Sequence, residues 1–454
     1  MSGEVRHSAI SANGPVSTGI VAGSEREGTT QADTIGARLT PSMTRSFVLN
    51  ELNFDNALVP GSVFLNMRCK AKTSAGADVG TNDPIALIEE CSSLAFRSLE
   101  LKLNTVTVSR MERADVVRNV VDRVVTSALL SVAGYRQLNS DNEITRTVNN
   151  PPTADIFKHD MIVGGKSFLL TRPLDDLPFF AEGDAYLPGW NTVNLKVTTT
   201  SDPQNLFRTD NTIADAPYLY VEEMFITYTT VMMEPEEASK LLAAANAGQA
   251  SFGTLEWGEQ ALTPQIPAGA TSWKSSVAAV FDVVPNMVLL AMFPTETFNP
   301  PADSFKTALH PMVRSWANIS EVGFKSGATP IQTYARTNGV GGKMEILNGL
   351  TKMIDQNAGI SGSSSGIRAK TVVEPHVFME EPGTALIPLV YKNWGSREDV
   401  RSRSLSLNAY TAMNDLPGGA PLEVTPHMIS VTRVRWNLAP QALATHKTPG
   451  LRIE

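Results

Sequence analysis

Two glycine-rich passages, six histidines, several acidic doublets and two cysteines are the residues that could do chemistry. Gly164-Gly165-Lys166-Ser167 has the ending of a phosphate-binding loop, in which successive backbone amides and a lysine cradle phosphates at the amino end of a helix. That pattern needs its first glycine at position 160, where Asp160 stands, and Ser167-Phe168-Leu169-Leu170 reads as a strand. Gly339-Val340-Gly341-Gly342-Lys343 precedes a helix but is followed by Met344 where a phosphate site needs Ser or Thr, so it reads as a glycine-rich turn. His7, His159, His310, His376, His427 and His446 are scattered, with no two at the near spacing of a metal pair on a strand or helix. Asp175-Asp176, Glu222-Glu223, Glu236-Glu237 and Glu380-Glu381 could supply the two carboxylates of glycoside hydrolysis, but solvated strand edges and helix starts account for them. Cys69 and Cys91 read as small apolar core residues, and whether they pair is left open. The sequence therefore predicts no catalytic, cofactor-binding or metal-binding residue.

Composition bounds the rest. A chain of 454 residues exceeds the roughly 250–300 at which single cores stop growing, so two domains are the natural division. Charged residues make up 19%, below the usual share of about 25%, which suits a surface partly covered by neighbours. A net charge of -8 and no basic stripe argue against a dedicated nucleic-acid binder. Met1 to Ile20 lacks the basic and apolar regions of a secretory signal, and the longest apolar stretch, Val277 to Phe293, is interrupted by Asp282, Pro285 and Asn286. The expectation is a soluble protein made in the cytosol, with the sequon Asn318-Ile319-Ser320 unused.

A strand-turn-strand passage occurs twice. Thr192 to Thr199, a polar break, Ala216-Pro217 and the run Tyr218 to Met233 form the first copy; Ser404 to Tyr410, the break Asp415 to Gly419, Ala420-Pro421 and Leu422 to Leu438 form the second. Aligning the Ala-Pro pairs also places Met224 on Met428, and the order of elements predicts two similar β-domains in tandem. Residues 1 to about 40 have hardly any large apolar side chain and read as an arm. Strands are predicted at Ser46 to Phe54, Ser62 to Lys70 and Leu94 to Val108, then a helix opened by a capping box at Ser109-Arg110-Met111-Glu112, with Val117, Val120, Val121 and Val124 on one face and Gly134 at its end. Asn139 to Asp155 reads as an exposed excursion, and Pro235-Glu236-Glu237 opens a short helix at the domain joint that Gly248 ends. Further strands are predicted at Leu255 to Trp257, Ser272 to Val283, Met287 to Phe293 and Ile319 to Lys325, then a helix carrying Leu347, Leu350 and Ile354 and an exposed loop from Asn357 to Gly366.

Ser92-Ser93-Leu94-Ala95-Phe96-Arg97-Ser98-Leu99-Glu100-Leu101-Lys102-Leu103-Asn104, leading into the long helix, resembles the first-domain segment of double jelly-roll major capsid proteins, most of all those of polinton and adintovirus-type DNA viruses. Val284-Pro285-Asn286-Met287 through Phe293, then Phe298-Asn299-Pro300, is similar to that family's proline-led strand and its Asn-Pro-Phe region. Thr105 stands where the family has glycine after the asparagine, and Pro301 where it has phenylalanine. The resemblance spans about residues 45 to 440 and implies an all-β fold of two tandem eight-stranded antiparallel jelly rolls with inserted helices and long loops. The expected layout is a flexible arm over 1–42, a first jelly roll over 43–234 with its helix at about 110–133, a linker helix over 235–252, a second jelly roll over 253–440 and a tail over 441–454. It further implies a structural protein rather than an enzyme, assembling with itself as a homotrimeric tile of an icosahedral shell of a double-stranded DNA virus. Penton and minor capsid proteins are the implied further partners, without sequence-specific nucleic-acid contact and with membrane contact left open. The virion capsid is the implied location. A carbohydrate-binding or carbohydrate-active tandem sandwich, or a minor capsid or spike protein, are the competing expectations.

Overall fold

A computed structural model describes residues 20–49, 55–80, 83, 85–87, 91–104, 106–124, 145–146, 161–162, 165–180, 186–209, 213–247, 251–281, 285, 287–295, 319–326, 328–335, 340–357, 386–389, 405–413 and 423–437. The first part of the chain carries strands β1 (Arg26–Thr29), β2 (Asp33–Arg38), β3 (Thr44–Val48), β4 (Asn56–Leu58), β5 (Phe64–Lys72), β6 (Ile85–Leu87), β7 (Phe96–Leu103), β8 (Val106–Met111), β9 (Thr145–Arg146), β10 (Met161–Ile162), β11 (Phe168–Pro173), β12 (Leu187–Pro188), β13 (Val193–Thr199), β14 (Phe207–Thr209) and β15 (Tyr218–Met232). Helices α1 (Cys91–Leu94) and α2 (Ala114–Val124) sit among them, and α3 (Pro235–Asn246) follows. The second part carries β16 (Ser251–Ala261), β17 (Ser272–Lys274), β18 (Ala279–Phe281), β19 (Met287–Pro294), β20 (Ile319–Ser326), β21 (Thr329–Ala335), helix α4 (Val340–Asn357), β22 (Leu386–Leu389), β23 (Leu405–Met413) and β24 (Val424–Asn437).

The described strands pair antiparallel and form two sandwiches. In the first, a sheet ordered β11-β5-β15-β4-β12, with β1 and β2 along the opposite edge of β15, faces a sheet ordered β3-β13-β7-β8. In the second, β16-β24-β19-β22 accompanies β17-β23-β20-β21, with β18 also on β23. The orders correspond: β3-β13-β7-β8 matches β17-β23-β20-β21, and β11-β5-β15 matches β22-β19-β24. A helix follows β8 and its counterpart β21 in each copy. The twice-occurring sequence passage is thus β13 with β15, and β23 with β24.

Side-chain alternation places each strand. Val193, Leu195 and Val197 of β13 are buried while Lys196 between them is exposed, and Phe96, Leu99, Leu101 and Leu103 of β7 line the same core. Along β15 the buried residues include Leu219 and Val221, then Met224, Ile226 and Tyr228. The parity changes because the pairing register shifts between Val221 and Glu223, and one extra residue there keeps the apolar face inward beyond the acidic doublet. Val288 to Phe293 of β19 are all buried, so this strand is covered on both faces and reads as a continuous apolar run. The two-residue turn between β7 and β8 holds Asn104 at a φ of +54°, a conformation that asparagine tolerates better than most residues. Its side chain accepts a hydrogen bond from the Thr192 amide at 3.0 Å and donates one to Asn191 Oδ1 at 3.2 Å, tying the hairpin to the start of β13.

Several expectations are corrected. The arm expected over 1–42 is already in the first sheet from β1 onward: Arg26 to Thr29 pair with Thr230 to Thr227, Asp33 to Arg38 pair with Met224 to Tyr220, and Leu39 is buried. Main-chain hydrogen bonds to an edge hold these strands, so they need few apolar side chains, and composition misread them. Ser109, Arg110 and Met111 are the end of β8, paired with Leu101, Glu100 and Leu99, so the helix starts at Ala114. Glu112 meets Arg110 at 2.6 Å rather than closing a capping box. Leu94 to Val108 splits into the end of α1, β7 and β8, and Ser272 to Val283 splits into β17 and β18. The excursion at 139–155 lies outside the described residues apart from β9; the loop at 358–366, Gly134, Gly248 and the tail over 441–454 also lie outside them.

Cys69 on β5 and Cys91 on α1 are fully buried, and burial pushes both thiols above their ordinary range, with proximity of Cys91 and Glu222 adding to the effect on Cys69. A thiol with a raised native pKa stabilises the fold below its unfolded value of about 8.5, and that contribution is lost as pH rises beyond it. The urea midpoint should therefore fall from about pH 8.5 upward, less steeply in Cys69→Ala/Cys91→Ala. Ellman's reagent should label neither thiol in the native protein and both after denaturation; rapid native labelling would contradict this placement.

Candidate functional site

The residues first considered for chemistry that are among the described ones lie on separate elements, most of them with partners of their own. Gly165 turns at a φ of +79° ahead of β11, and Ser167 hydrogen-bonds the Glu222 carboxylate, so Lys166-Ser167 precedes a strand and no helix. Gly341 and Gly342, expected in a turn, lie in the first turn of α4 instead; helical pairing starts one residue earlier than the glycines imply. Of the histidines, His427 alone is among the described residues: it is buried on β24, its Nδ1 lies 2.5 Å from Glu259 Oε1 on β16, and the edge of its ring meets Phe293 with centroids 5.7 Å apart. Among the described residues no group of three or more His, Cys, Asp or Glu is placed to hold a metal ion. Glu222 and Glu223 pair with Lys70 and Arg68 across β15 and β5, Glu236 and Glu237 open α3 and pair with Lys240, and Glu380-Glu381 lies outside the described residues.

Asp175-Asp176 is the correction that matters. Asp176 is fully buried and Asp175 half-buried, in the turn that follows β11, and each faces an arginine. Arg172, near the end of β11 and itself wholly buried, donates from Nη1 to Asp176 Oδ1 at 3.0 Å and from Nη2 to Asp176 Oδ2 at 2.5 Å, a two-pronged pairing. Nη1 also reaches the carbonyl of Pro173 at 3.0 Å and Nη2 that of Ala114, the first residue of α2, at 3.3 Å, while the buried Nε has no hydrogen-bond partner among the described residues. Arg118 of α2, also wholly buried, pairs with Asp175. Arg113 grips Asp115 through two hydrogen bonds of 3.0 and 3.1 Å, and Asn119 Nδ2 donates to the Asp115 carbonyl at 2.8 Å. Water is excluded from Asp176 and mostly from Asp175, which is why a solvated strand edge is the wrong account of the doublet.

These groups fix one helix and one turn at the boundary between the sandwiches. From Ala114 to Val121 every residue of α2 is buried, polar positions included, and the helix packs on α1, on β7 and on β16 of the second sandwich. The turn is buried alongside it through Leu174, Leu177, Phe179 and Phe180, and the Phe179 amide donates to Thr254 Oγ1 of β16 at 2.9 Å. Phe179 holds a φ of +68°, a strained conformation for a bulky side chain that survives only where the surroundings dictate it. The arrangement offers a substrate nothing and joins two sandwiches. Sequence reasoning missed Arg118 and Arg172; the signal was an arginine among the valines of α2 and an Arg-Pro-x-Asp-Asp order at a strand end, and neither states that both sides are buried.

Removing one partner of a buried charge pair leaves the other uncompensated, at a cost of about 3–5 kcal/mol, whereas replacing both by apolar groups of similar volume is close to neutral. Asp176→Ala should lower the unfolding free energy by that amount and Arg172→Met/Asp176→Leu by much less, measured by urea titration. Equal losses in the single and double variants would show that the pairing is not what holds the turn.

No protein-family model matches the sequence, and no curated protein matches it. Solved structures do match along nearly the whole chain. A chain in the cryo-EM structure of the Sputnik virophage is similar with a TM-score of 0.59 at 10% identity, over 95% of this chain and 90% of that one. The mavirus major capsid protein is similar with a TM-score of 0.55 at 12% identity, over 92% of this chain and 88% of that one. The Faustovirus major capsid protein follows with a TM-score of 0.52 at 7% identity, over 90% of each chain. Two antiparallel sandwiches with corresponding strand order, matched from end to end, give this chain the double jelly-roll fold shared with the mavirus and Faustovirus major capsid proteins.

Proposed function

We propose that this chain is the major capsid protein of a double-stranded DNA virus, a building block of an icosahedral shell with no enzymatic role. The observation that carries the reading is the pair of corresponding sandwiches locked edge to edge, with a whole-length likeness to chains of viral capsids. In this reading each sandwich is an eight-stranded jelly roll: β1 and β2 jointly, β15, β5 and β11 against β3, β13, β7 and β8, and then β16, β24, β19 and β22 against β17 with β18, β23, β20 and β21. The first jelly roll starts at β1, the second at β16, and α3 links them. Three copies form a pseudo-hexagonal homotrimer, which tiles the shell beside penton and minor capsid proteins in the virion. No cofactor, metal or nucleic-acid sequence is needed for that work, since shape and permanent contact perform it. Interfaces of this obligate kind bury about 2,000 Å² or more, so assembly contributes to the stability of each copy.

Light scattering of the purified protein should give about 147 kDa, three times the 48.9 kDa chain, and negative stain should show six-sided outlines. A monodisperse monomer at all concentrations, above all one that binds sugars, would remove the proposal.

A further inference from the structure

The two sandwiches correspond in topology but not in what covers their helices. In the first, α2 follows β8 and is enclosed, with Asp115, Arg118 and Asn119 exposed by 7%, 0% and 0%, because β16 of the second sandwich lies against it. In the second, α4 follows β21 in the same way and packs on β21 and β22, burying Ile346, Leu347 and Leu350. Its other side is open: Gly341, Met344, Glu345 and Asn348 are exposed, and Met344, at 40%, is among the few large apolar side chains on the described surface. The start of the chain differs in a matching way. β1 and β2 run along β15 as β16 runs along β24, yet Arg26, Glu27, Thr34, Ala37 and Arg38 are exposed, whereas β16 meets α2 and buries Thr254 and Trp257. Among the described residues one chain thus presents a helix of the α2 kind with an exposed side and a strand edge of the β16 kind with exposed residues, on different sandwiches.

A surface and its complement on opposite ends of a chain make a head-to-tail contact, which closes into a ring when the rotation between copies allows. We infer that the exposed side of α4 in one copy seats on β1 and β2 of the next copy, repeating between chains the contact that α2 makes with β16 inside one. The inference rests on the capsid reading, because it names the residues through which copies of the proposed trimer meet. Met344 is the apolar anchor, and Glu345 beside it meets a strand pair that bears Arg26 and Arg38 together with Glu27 and Asp33.

Met344→Asp tests it, with Val280→Asp, at a valine exposed by 60% on β18 and away from this contact, as control. Loss of an anchor residue weakens association by about 30-fold or more, so Met344→Asp should scatter near 48.9 kDa at concentrations where wild type and Val280→Asp remain near three times that mass, with an unchanged far-ultraviolet circular dichroism spectrum. Should Met344→Asp fail to fold, Arg38→Glu reads the same contact from the strand side and should dissociate the assembly likewise. A trimeric wild type whose trimer survives both substitutions overturns this interface and leaves the capsid reading standing. A wild type that never associates overturns both.

Discussion

Four charged side chains, Arg118, Arg172, Asp175 and Asp176, are withdrawn from most or all contact with water between α2 and the turn after β11. Taking such ions out of water costs several kcal/mol each, and only near-complete pairing offsets it. Arg172 shows how close to complete that is, with four hydrogen bonds shared between one carboxylate and two backbone carbonyls. Because partial disengagement strands a buried charge, the helix and the turn move together or not at all. The turn in turn carries Phe179, whose amide is bonded to Thr254 on the second sandwich. A polar network inside the first sandwich thereby sets where the second one sits.

Domains within a chain ordinarily move relative to one another unless a large or specific contact forbids it. In the proposed capsid role both halves would have to be presented in a fixed relation, since each would meet neighbours at angles that close. Burying a helix on all sides at the boundary, polar positions included, removes the hinge that a solvated joint would leave. Strain at Phe179 is consistent with this: a left-handed conformation at a bulky residue persists where packing from both sandwiches determines it.

Much of the architecture was legible in the residues. The two strand-turn-strand passages, read from alternation and from Ala216-Pro217 against Ala420-Pro421, are β13 with β15 and β23 with β24, and Pro235 does open α3. What alternation cannot report is the partner of a strand held by its backbone, so the polar β1 and β2 passed for an arm. A serine followed three residues later by glutamate is also compatible with the end of a hairpin strand, and pairing of Ser109 with Leu101 decided that case. The acidic doublet at 175–176 failed for a different reason: Asp175 pairs with an arginine 57 residues away in sequence, and although Asp176 pairs with Arg172 only four residues away, that local order does not state that both are buried. Of the two glycine passages, the first runs from Ser167 into a strand, which a phosphate loop cannot do, while Gly341 and Gly342 of the second lie in the first turn of α4.

The correspondence between the sandwiches survives with almost no shared residues, and so does the likeness to solved structures at 7–12% identity. Both follow from what a sandwich demands. A strand of it needs an apolar residue at every second position and a register that keeps that face inward; volume and pattern, rather than particular side chains, satisfy this. Where the pattern is interrupted, as at Glu222 and Glu223, a bulge restores the face without altering strand order. Residue identity is constrained where a charge is buried or a helix must be shared, and those are the places at which the two halves differ: α2 is enclosed with its arginine paired, while α4 keeps an open side with Met344 exposed. The two helices are therefore where the repeat breaks, one enclosed within the chain and the other with part of its surface exposed.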